Sequence, residues 1–258
     1  MAMKVQNRQS RILAEVRSHE KATVEYLADL LGASRETIRR DLTDLERQGK
    51  ISKFHGGAML PRLFGEGALQ QRMSENVDAK LRIAGTAAAL FHAGETLFVD
   101  TGSTTQYFAE QMAQVQGVNI ITNSTDVAAV ISAGGQSGAY LLGGQFSADN
   151  RQTVGTMTIE QINGFHAHHA VLTVGALGVD TGVADYNLEE SQVAKAMVAR
   201  AGSVTVLADH SKFGAMASFG VCSLGRINRL VCDTAPRAEL AHALGSAGVD
   251  VVIAGQGE

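Results

Sequence analysis

The apolar residues of this chain change period partway along it, and that change limits the folds open to it. Over residues 8–47 they recur every three or four positions, the spacing of helices that bury one face. Arg8, Ile12, Leu13 and Val16 mark a first stripe, Leu27, Leu30 and Leu31 a second, and Ile38, Leu42 and Leu45 a third. Thr23 and Ser34 stand where the second and third helices need N-caps, Gly32 makes the corner between them, and Gly49 ends the third. Residues 50–55 then alternate as a strand does, and Gly56-Gly57 turns the chain back. From about residue 76 the pattern is different. Short apolar runs at 96–100, 118–122, 139–142, 170–174, 204–208, 229–233 and 249–254 alternate with helical stretches such as 104–114, 124–132, 188–201 and 239–247. That alternation predicts an α/β domain with a largely parallel sheet. Between the two regimes, residues 61–76 hold Pro61, Gly65 and Gly67 and no strong period. The expected organisation is therefore residues 1–60, a linker over 61–76, and a second domain over 77–258.

Charge divides at the same place. The formal net charge is −4, yet residues 1–62 hold 12 Lys+Arg against 8 Asp+Glu, and the remainder 10 against 18. A basic head on an acidic body suits a head that meets a polyanion, although a solvated helical face can carry the same excess. No apolar run reaches the roughly 18 residues of a membrane helix, and the first residues lack the apolar core of a signal peptide. Cys222 and Cys232 fit neither a disulfide framework nor a zinc motif and read as small core residues. The expectation is a soluble, cytoplasmic protein with no membrane partner, no cofactor and no bound metal.

Two helices, a glycine corner and a third helix describe a helix-turn-helix. With Ile38, Leu42 and Leu45 turned inward, Ser34, Arg35, Thr37, Arg39 and Arg40 are left on or near the outer side of the third helix's first half. A recognition helix uses that position to reach base edges and phosphates. The strand pair behind it would form a wing carrying Lys53 and His55. A three-helix protein-docking module has the same outline, but it has no need of this basic cluster.

In the body, the apolar strand at 96–100 ends in Asp100 and runs into Thr101-Gly102-Ser103-Thr104-Thr105 at the start of a helix. A hydroxyl-rich glycine loop at a helix N-terminus presents backbone N–H groups to an anion such as phosphate. It is also how an ordinary capped helix begins. Asn123, Gly144, Gly175, Asp209 and Lys212 follow other strand ends, where ligands of open α/β sheets collect. Lys212 would balance a phosphate, and Asp100 or Asp209 would accept hydrogen bonds from hydroxyls. The same carboxylates, with Glu189, would serve an isomerase as general bases. His166, His168 and His169 fall within four residues, but they lack a companion cysteine or a well-spaced carboxylate. A hydrogen-bonded surface cluster fits them better than a metal site.

Two stretches of the head carry a resemblance. Residues 33–42, Ala-Ser-Arg-Glu-Thr-Ile-Arg-Arg-Asp-Leu, and residues 54–58, Phe-His-Gly-Gly-Ala, resemble the signature of the DeoR family of bacterial transcription regulators. Lys53 departs from it, standing where the family commonly has arginine, so the wing keeps the charge but loses the planar fork. The body resembles the family's sensor domain in Lys80-Leu81-Arg82-Ile83-Ala84, in residues 100–105 and 122–124, in Gly143-Gly144, in Glu189 with Lys195, and in residues 208–214. The resemblance implies a winged helix-turn-helix followed by an α/β domain similar in fold to ribose-5-phosphate isomerase and the coenzyme A transferases. It implies operator double-stranded DNA and a phosphorylated sugar, sugar alcohol or related effector as partners, in a homodimer or homotetramer. It carries Asp100, Gly102, Ser103, Thr104, Thr105 and Lys212 to the effector, together with Asn123, Gly144, Gly175, Asp185 and Glu189.

Overall fold

The computed structural model describes residues 5–19, 21–47, 50–54, 56–59 and 67–255. The chain divides into two compact units, Met1–Leu63 and Phe64–Glu258. His55, Gly49 and Pro61 lie outside the described residues, as do the other residues of 61–66.

The first unit runs α1 (Val5–His19), β1 (Lys21–Thr23), α2 (Val24–Leu31), α3 (Arg35–Arg47), β2 (Ser52–Phe54) and β3 (Gly57–Met59). Thr23 Oγ1 accepts the Tyr26 amide at the start of α2, and Gly32 ends that helix at φ 60°, a left-handed turn that costs glycine little. Ser34 Oγ accepts the Thr37 amide at 3.2 Å and so caps α3. Ile12, Val16, Leu27, Leu31, Ile38, Leu42 and Leu45 close the core. Leu30, expected inward, is 38% exposed. Val24, Leu27, Ala28 and Leu31 already fill the inner stripe of this short helix, and Leu30 falls beside it. The wing strands β2 and β3 pair antiparallel, and β1, too short to show a period, adds to β3. Among the described residues an ion pair joins α1 to α3: Arg8 holds the buried carboxylate of Asp41 through both Nε and Nη2.

The second unit begins with α4 (Leu69–Met73) and α5 (Val77–Ala88). The expected linker over 61–76 is thus corrected at its far end, because Leu69 and Arg72 are buried and residues 67–76 belong to the packed unit. Then follow β4 (Thr96–Val99), α6 (Ser103–Met112), β5 (Asn119–Thr122), α7 (Thr125–Gly134), β6 (Gly138–Leu141), the hairpin β7 (Gln145–Ser147) and β8 (Gln152–Val154), and α8 (Thr156–Asn163). The chain continues through β9 (Ala167–Thr173), β10 (Ala176–Gly178), β11 (Gly182–Asp185), α9 (Leu188–Arg200), β12 (Ala201–Ala208), β13 (Phe219–Cys222), β14 (Arg229–Cys232), α10 (Ala238–Ser246) and β15 (Asp250–Ile253).

Seven strands form one parallel sheet in the order β15-β14-β12-β9-β4-β5-β6. Period-two alternation is visible on both faces. Leu97, Val99, Ile120, Val171, Leu207 and Val231 pack with α5, α6 and α7. Phe98, Ile121, Leu172, Val206 and Leu230 pack on the other side with α8, α9 and α10. A sheet covered on both faces needs apolar residues at successive positions, which is why these strands read as continuous apolar runs. The chain winds outward from β4 through β5 to β6, then returns to β9 on the other flank and continues outward to β15. The winding reverses between β4 and β9, and such a switch point opens a crevice at the carboxyl ends of the strands. The three-stranded antiparallel sheet β10-β11-β13 and the hairpin β7-β8 were not expected. No helix of the described residues is long and apolar enough to cross a membrane.

The Arg8–Asp41 pair gives a direct test. Arg8→Met leaves a buried carboxylate without its charged partner and should lower the stability of the head by about 1–3 kcal/mol. Adding Asp41→Leu should recover much of the loss. Thermal melts of the three chains measure both effects.

Candidate functional site

In the head, α3 presents Arg35, Arg39 and Arg40 outward. Arg35 and Arg40 are largely exposed, and each lies near a carboxylate: Arg35 is 3.8 Å from Glu25 and Arg40 is 3.3 Å from Glu36. Arg39 is also exposed. The hydroxyls of Ser34 and Thr37 lie 2.9 Å apart at the N-terminus of the helix. Lys53 is turned back onto α3, its Nζ 3.1 Å from Thr43 Oγ1 and 3.2 Å from a Glu46 carboxylate oxygen. The Lys53 amide donates to the same Glu46 side chain, so the wing is tied to the helix at two points.

In the second unit, β4 and β9 end side by side at the switch point, where ligands of open α/β sheets bind. Asp100 is buried, and both its carboxylate oxygens accept the Thr173 amide, at 3.0 and 3.2 Å. Gly102 has extended backbone, so it is not a left-handed turn that calls for glycine here. A Cβ there would lie 1.9 Å from Thr173 Cγ2, and glycine is required by that close approach. The loop then enters α6, whose first amides have no acceptor within the helix. Thr105 Oγ1 donates to Gly102 O at 3.1 Å and is fully buried, so this hydroxyl closes the loop and is not offered outward. Two buried polar atoms have no hydrogen-bond partner among the described residues: Thr101 Oγ1 and Asn123 Oδ1.

Carboxylates gather near Asp100, and a second cluster with two lysines lies around Asp209. Burial pushes the Asp100 carboxyl well above its ordinary range, and the charges of Asp185 and Glu190 add to the shift. Glu190 is raised to about 7, by burial first and by Asp185 second. Its Oε1 accepts Asn150 Nδ2 at 2.5 Å and Gln152 Nε2 at 2.7 Å. Asp209 accepts from the Ser211 amide, the Ser211 hydroxyl and Asn76 Nδ2. Burial opposes its ionisation, but the Ser211 bonds with Lys212 and Lys80 outweigh that and hold its pKa low. Lys80 is buried, and burial pulls its pKa down. Its Nζ donates to the carbonyls of Arg72 and Glu75.

Comparison with known proteins bears on both units. Residues 8–62 match the model of the DeoR-like helix-turn-helix domain, and residues 75–234 match that of the DeoR C terminal sensor domain. The chain belongs to the DeoR family. The HTH-type transcriptional repressor GlcR of Bacillus subtilis is 32% identical over 96% of this chain and 95% of its own length. The Glycerol-3-phosphate regulon repressor of Escherichia coli is 27% identical over 91% and 93%. Among solved structures, ribose 5-phosphate isomerase A from Methanocaldococcus jannaschii covers 54% of this chain and 55% of its own, at 18% identity and a TM-score of 0.40.

Within this DeoR sensor domain, the structure brings Asp100 together with Asp185, and Asp209 with Lys212. Glu189 is exposed, and its neighbour Glu190 takes the half-buried place. The helical period could have found it, because Val193, Ala194 and Met197 stand three, four and seven residues after Glu190 and are buried. Gly144 and Gly175 serve packing. A Cβ on Gly144 would strike Thr158 Oγ1 at 2.1 Å, and one on Gly175 would strike the Tyr186 ring at 2.8 Å. Arg72, Asn76, Asn150 and Gln152 were missed, being polar residues on short elements or turns without a period, and Lys80 was noted only within the motif of residues 80–84. The three histidines each meet protein: His166 meets Arg200 at 2.8 Å, His168 Nδ1 accepts the Thr96 amide, and His169 meets Glu95 at 3.2 Å.

Two outcomes are expected. Gly102→Ala should weaken folding of the sensor domain, because Thr173 must move, and the melting temperature should fall. Glu190 has a raised folded pKa, so the unfolded chain releases its proton first and stability drains away as pH climbs from about 4.5 to about 7. Glu190→Gln should flatten that part of the stability–pH curve, read by melts at about pH 5 and about pH 8.

Proposed function

We propose that this chain is a metabolite-responsive transcriptional repressor. In this reading α3 and the wing bind operator DNA, and a phosphorylated sugar, sugar alcohol or related metabolite in the crevice releases it. One observation carries the reading. An amide-bearing helix start at the switch point of the sheet, beside the unpartnered Thr101 Oγ1 and Asn123 Oδ1, shares a chain with a helix that presents Arg35, Arg39 and Arg40 outward. The phosphate would meet the amides of residues 103–105 with Lys212 nearby, and the hydroxyls of the ligand would meet Asp100, Asp185 and Asn123. A relative named for the glycerol 3-phosphate regulon supports a phosphorylated ligand. The isomerase reading is not favoured, since the relatives that match along the whole chain are named repressors. A homo-oligomer, dimer or tetramer, fits paired operator half-sites. Occupancy would release DNA by favouring the form whose heads no longer match those half-sites.

A thermal-shift screen of phosphorylated sugars and polyols tests this. A ligand at about 100 times its Kd adds about 2.7 kcal/mol and raises the melting temperature, whereas its unphosphorylated form should not. Ser103→Asp should abolish the shift by repelling phosphate. Turnover of the same sugar phosphates would overturn the regulator reading. In binding assays with a duplex selected from a random library, Arg39→Ala should cost about 1–3 kcal/mol on the selected sequence and less on random DNA. Equal losses on both would make Arg39 a phosphate contact only.

A further inference from the structure

The hydrogen bonds that hold the crevice also lead away from it. Asn123 Nδ2 donates to Gln152 Oε1 at 3.1 Å, and Gln152 Nε2 donates to Glu190 Oε1 at 2.7 Å. Asn150 Nδ2 donates to the same Glu190 oxygen at 2.5 Å. Arg72 Nη2 donates to Asn150 Oδ1 at 3.1 Å, and Arg72 Nε donates to the carbonyl of Gly67 at 3.0 Å. Gly67 is the first described residue of the second unit in chain order. Lys80 Nζ adds a grip on the backbone of the same segment, at the carbonyls of Arg72 and Glu75.

This run has a direction. Gln152 accepts from Asn123 and donates to Glu190, while Asn150 accepts from Arg72 and donates to Glu190. Turning either amide over sets donor against donor at one end and oxygen against carboxylate at the other. The orientation of each group is therefore dictated by its neighbour, as a coupled element requires. At the crevice end, Asn123 is 1% exposed and keeps Oδ1 unpartnered, an acceptor aimed at no protein group. Other charges bear on the middle of the strap. Asp185 raises the Glu190 pKa, and Arg72 lowers it.

We propose that the strap Asn123–Gln152–Glu190–Asn150–Arg72–Gly67 couples the state of the crevice to the segment through which the chain enters the sensor domain. It rests on the crevice being the effector site. A donor group meeting Asn123 Oδ1 would hold that amide in the orientation in which Nδ2 donates to Gln152 Oε1 and to the Thr153 carbonyl, and the tightening would reach Gly67 through side chains that are already bonded.

The test is a double-mutant cycle read by hydrogen–deuterium exchange on the full chain, with no ligand added. Asn123→Asp keeps the shape of the side chain and removes its donor. In the parent chain it should speed exchange of the amides in residues 67–75 by about threefold or more. In an Asn150→Ser background, which parts the strap between Glu190 and Arg72, the same substitution should change those amides by less than about half as much. No acceleration in the parent, or equal acceleration in both backgrounds, would overturn the proposal. If Asn123→Asp speeds exchange in the core strand at 97–99 as well, Asn123→Ser replaces it in the same cycle under the same criteria. Because no ligand is used, failure here is distinct from failure of the effector reading, which shows as a screen without a single phosphorylated hit.

Discussion

Apolar cover on both faces of the parallel sheet is the constraint from which the rest of the second unit follows. Phe98, Ile121, Leu172, Val206 and Leu230 fill one face, and Leu97, Ile120, Val171, Leu207 and Val231 fill the other. Neither face has room for a polar side chain without a partner. Polar groups are left with the strand ends, and the reversal between β4 and β9 decides which end gathers them. Asp100, Asn123 and Asp209 each stand one residue past the end of a parallel strand. They share an end of the sheet because the strands are parallel, and they share a neighbourhood because those strands are close in the order.

Electrostatics give that neighbourhood its character. Carboxylates buried near one another resist ionisation, as Asp100 and Glu190 do. Asp209 faces Lys80 and Lys212 and is held ionised. The crevice thus keeps one acidic group close to neutral pH and another firmly charged, on neighbouring elements. Amide side chains from Asn76, Asn150 and Gln152 complete the hydrogen bonding of these acids, which is how a buried polar cluster stays affordable in a low-dielectric interior.

Most of the architecture was legible in the sequence because period and burial are two views of one fact. The strands of the large sheet fall within a few residues of their apolar runs, and the caps at Thr23 and Ser34 lie where the helical stripes begin. Short elements escaped. A strand of three residues such as β1 or β10 has no period to display, and its pairing depends on partners far along the chain. In the site, strand-end residues were legible because the fold class puts ligands there. Arg72 and Lys80 were not, because their burial comes from contacts with carbonyls and side chains that no local pattern encodes. Gly102 was legible as a glycine that matters, but its reason, the methyl of Thr173, lies on another strand.

The carboxylates beside the basic groups of the head have a consequence for how it meets a polyanion. Glu25 lies by Arg35, Glu36 by Arg40 and Glu46 by Lys53, so these cations already have anionic company in the absence of nucleic acid. Contact with a phosphate is then an ion exchange within the protein, in which one anion replaces another. The salt dependence of association would run below what a count of lysines and arginines implies, since a cation neutralised by its own chain releases fewer counterions from the duplex.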